Sequence, residues 1–200
     1  MSNRFDNRSV DTFKKHIKFS TKLESYFFNK WLEICDNLNH VTVSNPRNNG
    51  VDNSGKFIAK GKTSGADYMV DFEYLDSRVQ NMPIEIKWVP TYGKLTLKEG
   101  DLKAYIRENA AILFIYNAEQ NDIDLRIPKD YNLKKHIQLI ESIQNNLRWG
   151  IMEPSKVKDF YAFAQKNNMI EKIHYMGGKP GIVLKQSEFS NWFVEEEWTS

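Results

Sequence analysis

The chain has a single cysteine, Cys35, among its 200 residues. That excludes an internal disulfide and any cysteine-based zinc site, and a reducing, cytoplasmic location is the expectation. Long apolar runs are missing too. None approaches the ~18 residues that a membrane span needs, so no membrane partner is expected. The first twenty residues, MSNRFDNRSVDTFKKHIKFS, are polar and lack the apolar stretch of a secretory signal. An excess of one charge is also absent: 28 Lys and Arg against 26 Asp and Glu leave +2. Affinity for nucleic acid, if the chain has it, must come from local basic clusters and not from a global field. There is no Walker-type phosphate loop and no dinucleotide fingerprint. The four histidines show no ligand spacing.

What is present is the composition of a globular protein, with 40% hydrophobic and 13% aromatic residues. Two hundred residues suffice to bury a proper core. Residues 1–19 read as a basic arm carrying Lys14, Lys15, His16 and Lys18. Thr21-Lys22-Leu23-Glu24 has capping-box spacing, and Leu23, Phe27, Trp31, Ile34 and Leu38 follow at helical intervals, predicting a helix over 21–38. His40–Val43 and Phe57–Lys60 are strand candidates on either side of a turn-rich loop, Asn45–Gly55.

Strands are predicted at 67–75 and 83–89, a helix at Leu97–Asn109, and a strand buried on both faces at Ala111–Tyr116. A further strand is expected at Asp122–Ile127, stopped by Pro128. Helix, strands, helix, strand implies an α/β core with a central mixed β-sheet flanked by helices, over residues 20–128. Residues 129–200 read as a C-terminal α+β extension that binds substrate or forms a homodimer. It has helical periodicity at Leu133–Leu147 and from Val157, a hairpin joining Ile173–Tyr175 to Ile182–Leu184, and a solvated acidic end at Glu195–Glu197.

Two segments carry chemistry: Ser64-Gly65-Ala66-Asp67-Tyr68 and Pro83-Ile84-Glu85-Ile86-Lys87-Trp88. On strands, alternate side chains share a face. Ile84, Ile86 and Trp88 then look into a core, while Glu85 and Lys87 emerge together with Asp67 on the neighbouring strand. Two carboxylates held close repel each other and call for a cation, and oxygen ligation suits Mg²⁺. Such a metal beside an ammonium suits phosphodiester hydrolysis. Asp71 and Glu73 share the face of Asp67 and are expected to be solvated or paired with lysines.

An acid, an interval of variable length, then acid–any–lysine resembles the PD-(D/E)XK nuclease superfamily, over roughly residues 21–117. Ala66 stands where that motif has proline, a departure that removes one confirming residue. The resemblance implies a restriction-endonuclease-like core and a metal-dependent DNA endonuclease using Mg²⁺ or Mn²⁺. Asp67, Glu85 and the main-chain carbonyl of Ile86 would be metal ligands, and Lys87 would orient the attacking water or stabilise charge on the phosphorane. Glu24 either joins that site, as a glutamate of the first core helix does in related enzymes, or closes the capping box begun by Thr21. Asp101 and Lys103 lie where relatives place a glutamine or second lysine, yet Glu99 and Asp101 equally suit a helix N-terminus. Lys94, Lys98, Lys134 and Lys135 are candidate phosphate-binding residues. An exonuclease or junction resolvase would use the same site, and a non-cleaving nucleic-acid-binding or inhibitory protein would keep the fold.

Overall fold

The computed structural model describes residues 9–37, 42–48, 66–73, 79–90, 92–119, 123–174 and 178–198. Helix α1 runs from Val10 to Asp36, and the Ser9 side chain caps it by accepting from the Thr12 amide. The expected arm is therefore helical from residue 10 onward, and the predicted capping box at Thr21–Glu24 lies in mid-helix. Tertiary packing extends the helix upstream. His16 and Phe19 meet the ring of Tyr131 edge-on, and Phe19 also meets His136, so the first turns gain partners that periodicity could not reveal.

Strands β1 (Thr42–Asn48), β2 (Tyr68–Glu73) and β3 (Val79–Val89) form an antiparallel meander. β1 corrects one expectation: it takes Asn45–Asn48 from the predicted loop by way of a bulge between Ser44 and Arg47. His40 lies outside the described residues. Asn45 adopts a φ of 50°, which asparagine tolerates, and its side chain donates to Asp71 on β2. The strand expected at Phe57–Lys60 lies outside the described residues.

A short strand, β4 (Lys94–Lys98), precedes α2 (Glu99–Glu108), so the helix starts two residues later than predicted. The crossover then delivers β5 (Ala111–Asn117) parallel to β3. Every residue of β5 is buried. Ala111, Leu113 and Ile115 enter one core, and Ile112, Phe114 and Tyr116 the other.

Beyond β5 two expectations fail. Residues 123–127 form no strand, although Leu125 is buried. Helix α3 stops at Ser142 (Leu133–Ser142), and Leu147 opens β6 (Leu147–Met152), because β5 offers an edge on which that segment pairs antiparallel. After α4 (Pro154–Lys166) comes the expected hairpin, β7 (Glu171–Ile173) with β8 (Lys179–Lys185). The acidic tail is β9 (Val194–Glu197), paired with β6 and followed by buried Trp198. Gly150 of β6 leaves room for this return, since a Cβ there would stand 2.3 Å from the Phe193 ring.

The result is a mixed α/β architecture. A six-stranded sheet of order β1-β2-β3-β5-β6-β9 takes its last two strands from residues after 128, and β4-β8-β7 form a second sheet. One face of the large sheet packs against α1 and α3 through Phe19, Leu23, Phe27, Trp31 and Ile140. The other face packs against α2, α4 and the small sheet through Leu102, Tyr105, Phe160, Leu97 and Ile182. Among the described residues no helix is long and apolar enough to cross a membrane.

Candidate active site

The register of β2 on β3 pairs Tyr68 with Ile84, so one step back along the chain Asp67 stands beside Glu85. Asp67 Oδ2 accepts the main-chain N–H of Ile86 at 3.1 Å, which pins the acid to β3. Glu85 and Lys87 share the strand face of Val89, a residue of the core under α2. Alternation thus places them opposite Ile84, Ile86 and Trp88, as expected. The surroundings differ from a solvated strand face, since Glu85 is only 8% exposed. One of its oxygens, Oε1, accepts both the Lys87 ammonium and the Tyr105 hydroxyl, the latter at 2.7 Å. Lys87 Nζ also lies 5.6 Å from the centre of the Tyr105 ring.

Glu24 comes from α1, and with Ser9 as the true cap its capping role disappears. It is half-buried and within electrostatic reach of Lys87, Glu85 and Asp67. Three carboxylates from three segments therefore lie within electrostatic reach of one ammonium, and Glu85 is the one in contact with it. Burial pushes Asp67 up to about 8, and the charges of Glu85 and Glu24 add to it against the opposing Lys87 and the Ile86 N–H. Glu24 is raised as well, first by burial, with Lys87 opposing and Glu85 adding. Burial works to lower the Lys87 pKa, but Tyr105, Glu85 and Asp67 outweigh it and hold the ammonium well above its ordinary value. Near neutral pH the cluster keeps a proton on Asp67 and a full charge on Lys87.

The remaining candidates fall elsewhere. Asp71 is tied to Asn81, Asn45 and Arg47, not to lysines, and these hydrogen bonds hold its carboxyl below the usual range. Glu73 is exposed at the end of β2. Asp101 pairs with Lys98 at 3.7 Å and Lys103 with Glu99 at 2.8 Å, so both serve α2 itself. Lys94 is exposed on β4, and Lys134 and Lys135 lie at the start of α3 beside α1. None of these lysines pairs with the acids of the cluster among the described residues.

Tyr105 is the member that sequence reasoning missed. Its signal was present, since Leu102 and Ile106 mark the inward stripe of α2 and Tyr105 lies between them. Tyr105→Phe removes the neutral donor to a buried carboxylate while conserving shape. It is expected to cost about 1.5–3 kcal/mol in a urea melt, and an unchanged midpoint would show that the hydroxyl does not hold Glu85.

A cavity of about 530 Å³ lined by Trp31, Phe72, Met82 and Trp149 contains none of the cluster residues. The acids sit outside it. Among the described residues no group of three His, Cys, Asp or Glu side chains is spaced to hold a metal ion. Comparison with protein-family models, with curated proteins and with solved structures finds no match in any of the three.

Proposed function

We propose that this chain is a metal-dependent DNA nuclease on a restriction-endonuclease-like core. The order α1, antiparallel β1–β3, α2 and parallel β5 supports that core. The observation that carries the activity is the convergence of Glu24, Asp67 and Glu85 on Lys87. A solvated strand face would not bury Glu85, drive Asp67 to about 8 and share one carboxylate oxygen between an ammonium and a phenol. Perturbed groups brought together from distant segments are characteristic of reaction sites.

The donors are all oxygen, the ligand type that a hard divalent cation takes. Burial first, and then the charges of Glu85 and Glu24, raise Asp67, and a bound cation would favour its carboxylate form. Asp67, Glu85 and the carbonyl of Ile86 would hold Mg²⁺ or Mn²⁺, with Glu24 nearby. Such an ion supplies Lewis acidity toward a phosphodiester oxygen and a water of lowered pKa. The chain's own groups do the rest. Lys87 stays protonated and offers N–H donors where negative charge builds on phosphorus-bound oxygen. Tyr105 orients Glu85, and the Ile86 N–H orients Asp67, so both carboxylates are positioned before substrate arrives.

Supercoiled plasmid incubated with Mg²⁺ or Mn²⁺ should be nicked or linearised, and chelator should stop the reaction. Intact plasmid and intact linear DNA with both ions, from neutral to mildly alkaline pH, would reject the nuclease reading. A second reading has one observation behind it. Lys87 closes on Glu85, and among the described residues no three acids are spaced for a metal. A non-cleaving nucleic-acid-binding protein fits that arrangement, and it would retard DNA in a gel without cutting it.

A further inference from the structure

The small sheet presents a second surface. Its inner face is apolar, with Leu95 and Leu97 of β4 and Ile182 and Leu184 of β8 all buried. Alternation sends Lys94, Thr96 and Lys98 outward on β4, and Val183 and Lys185 outward on β8. The register pairs Lys94 directly with Lys185. Both are exposed, and neither has a carboxylate partner among the described residues. Like charges directly opposite each other on neighbouring strands destabilise a sheet, so folding gains nothing from this pair. Lys98 is held only loosely by Asp101, at 3.7 Å. The nearby carboxylate of Glu188 is engaged by the Lys185 main-chain N–H at 2.9 Å, and Glu171 stands on the far strand β7.

An aromatic residue lies beside these cations. Tyr92 is 44% exposed in the turn that leads into β4. That turn is fixed by Gln186, whose Oε1 accepts the Gly93 N–H at 3.1 Å and whose main-chain N–H donates to the Gly93 carbonyl at 2.9 Å. Gln186 Nε2 in turn donates to the Ala118 carbonyl at 3.0 Å, anchoring the turn to the end of β5. Gly93 has a φ of +90°, a conformation that other residues rarely adopt. The ring is thus displayed on a backbone already ordered, which lowers the entropy cost of binding through it.

We propose that the outer face of β4 and β8, with Tyr92 at its margin, is a track for single-stranded nucleic acid leading to the Asp67–Glu85–Lys87 site. Lys94, Lys185 and Lys98 follow the phosphates, and Tyr92 stacks on a base. Unpaired cations beside an exposed aromatic are the elements of single-strand binding. The small sheet covers the same face of the large sheet from which Glu85 and Lys87 project. Lys94 follows Lys87 by seven positions, so they lie at most about 25 Å apart. The proposal takes its polymer from the nuclease reading above.

The test is a fluorescence titration of labelled oligothymidylate in chelator, where no cutting is expected, at salt between about 50 and 200 mM. Wild type, Lys94→Gln/Lys185→Gln and Tyr92→Ala are compared, with duplex of equal length as competitor. The double variant should lower the slope of log affinity against log salt by about 1.4, at about 0.7 for each phosphate no longer neutralised. Tyr92→Ala should weaken binding about five-fold or more. Thermal melts of both variants should match wild type, since the substituted side chains are exposed. Slopes and affinities unchanged by the substitutions overturn the track, while Mg²⁺-dependent cutting by wild type would leave the nuclease reading intact. Preference for duplex overturns the single-strand assignment. The expected slopes in a protein that cuts nothing would keep the track and remove the nuclease.

Discussion

Asp67→Asn is expected to make the metal-free protein melt above wild type at mildly alkaline pH, with the advantage shrinking as pH falls. Asp67 titrates near 8 in the folded protein against 3.8 for the free side chain. Between those values the folded state holds a proton that the unfolded chain has released. Stability therefore falls as pH rises through this window, by up to about 1.4 kcal/mol per pH unit for one group. The penalty is absent below about pH 4 and complete above about pH 8. Asparagine removes the charge and keeps an oxygen for the Ile86 N–H. Its melting temperature should lack that part of the pH dependence.

Metal inverts the order. A cation that binds only the folded, deprotonated site stabilises by mass action, by about 2.7 kcal/mol at a hundred times its Kd, and expels the Asp67 proton. Wild type should gain melting temperature with Mg²⁺ or Mn²⁺, more at pH 8 than at pH 6, and Asp67→Asn should lose most of that gain along with cleavage. Equal shifts in the two proteins, or none in either at millimolar metal, would separate these carboxylates from any metal and remove the nuclease reading.

Lys87→Ala is expected to reduce cleavage by about two to three orders of magnitude, the loss seen when one preorganised donor to a developing oxyanion is removed. DNA affinity should stay within a few-fold, because a single cation contributes little to binding along a polymer. The fold should survive with lower metal-free stability, since Lys87 is the ammonium that the Glu85 carboxylate faces. Breaking a buried pair from one side costs up to about 3–5 kcal/mol. With its side chain 28% exposed Lys87 falls below that bound. Acid should narrow the difference, because protonated carboxyls no longer need the ammonium. Turnover at the wild-type level in a folded Lys87→Ala protein would show that Lys87 is not part of the chemistry.

Much of the site was legible because it rests on local rules. Period-two alternation put Glu85 and Lys87 on one face and Ile84, Ile86 and Trp88 on the other, and the run Ala111–Tyr116 was apolar enough to announce a strand buried on both faces. Errors came where partners distant in sequence decide. Leu147 looked like the end of a helix, yet pairing with Asn117 makes it the start of β6. Glu195–Glu197 is exposed at both ends, as a solvated tail would be, but its pairing on the open edge of β6 as β9 was not foreseen. Leu97 and Lys98 looked like the start of a helix, yet β8 lies alongside and makes them the end of strand β4.

The α/β class, the central strand pair and the candidate acids and lysine follow from the residue order alone, since side-chain alternation and apolar periodicity are properties of a few consecutive residues. Packing in three dimensions was needed to bring Glu24 within electrostatic reach of Lys87 and Glu85 and to free it from a helix cap, because Ser9 caps α1 fifteen residues earlier. It also supplied Tyr105, whose hydroxyl meets Glu85 across the crossover from β3 to α2. The same holds for the electrostatics. Composition shows a nearly neutral chain, but burial of three carboxylates around one ammonium is a matter of where the chain returns in space, and burial is what moves Asp67 to about 8.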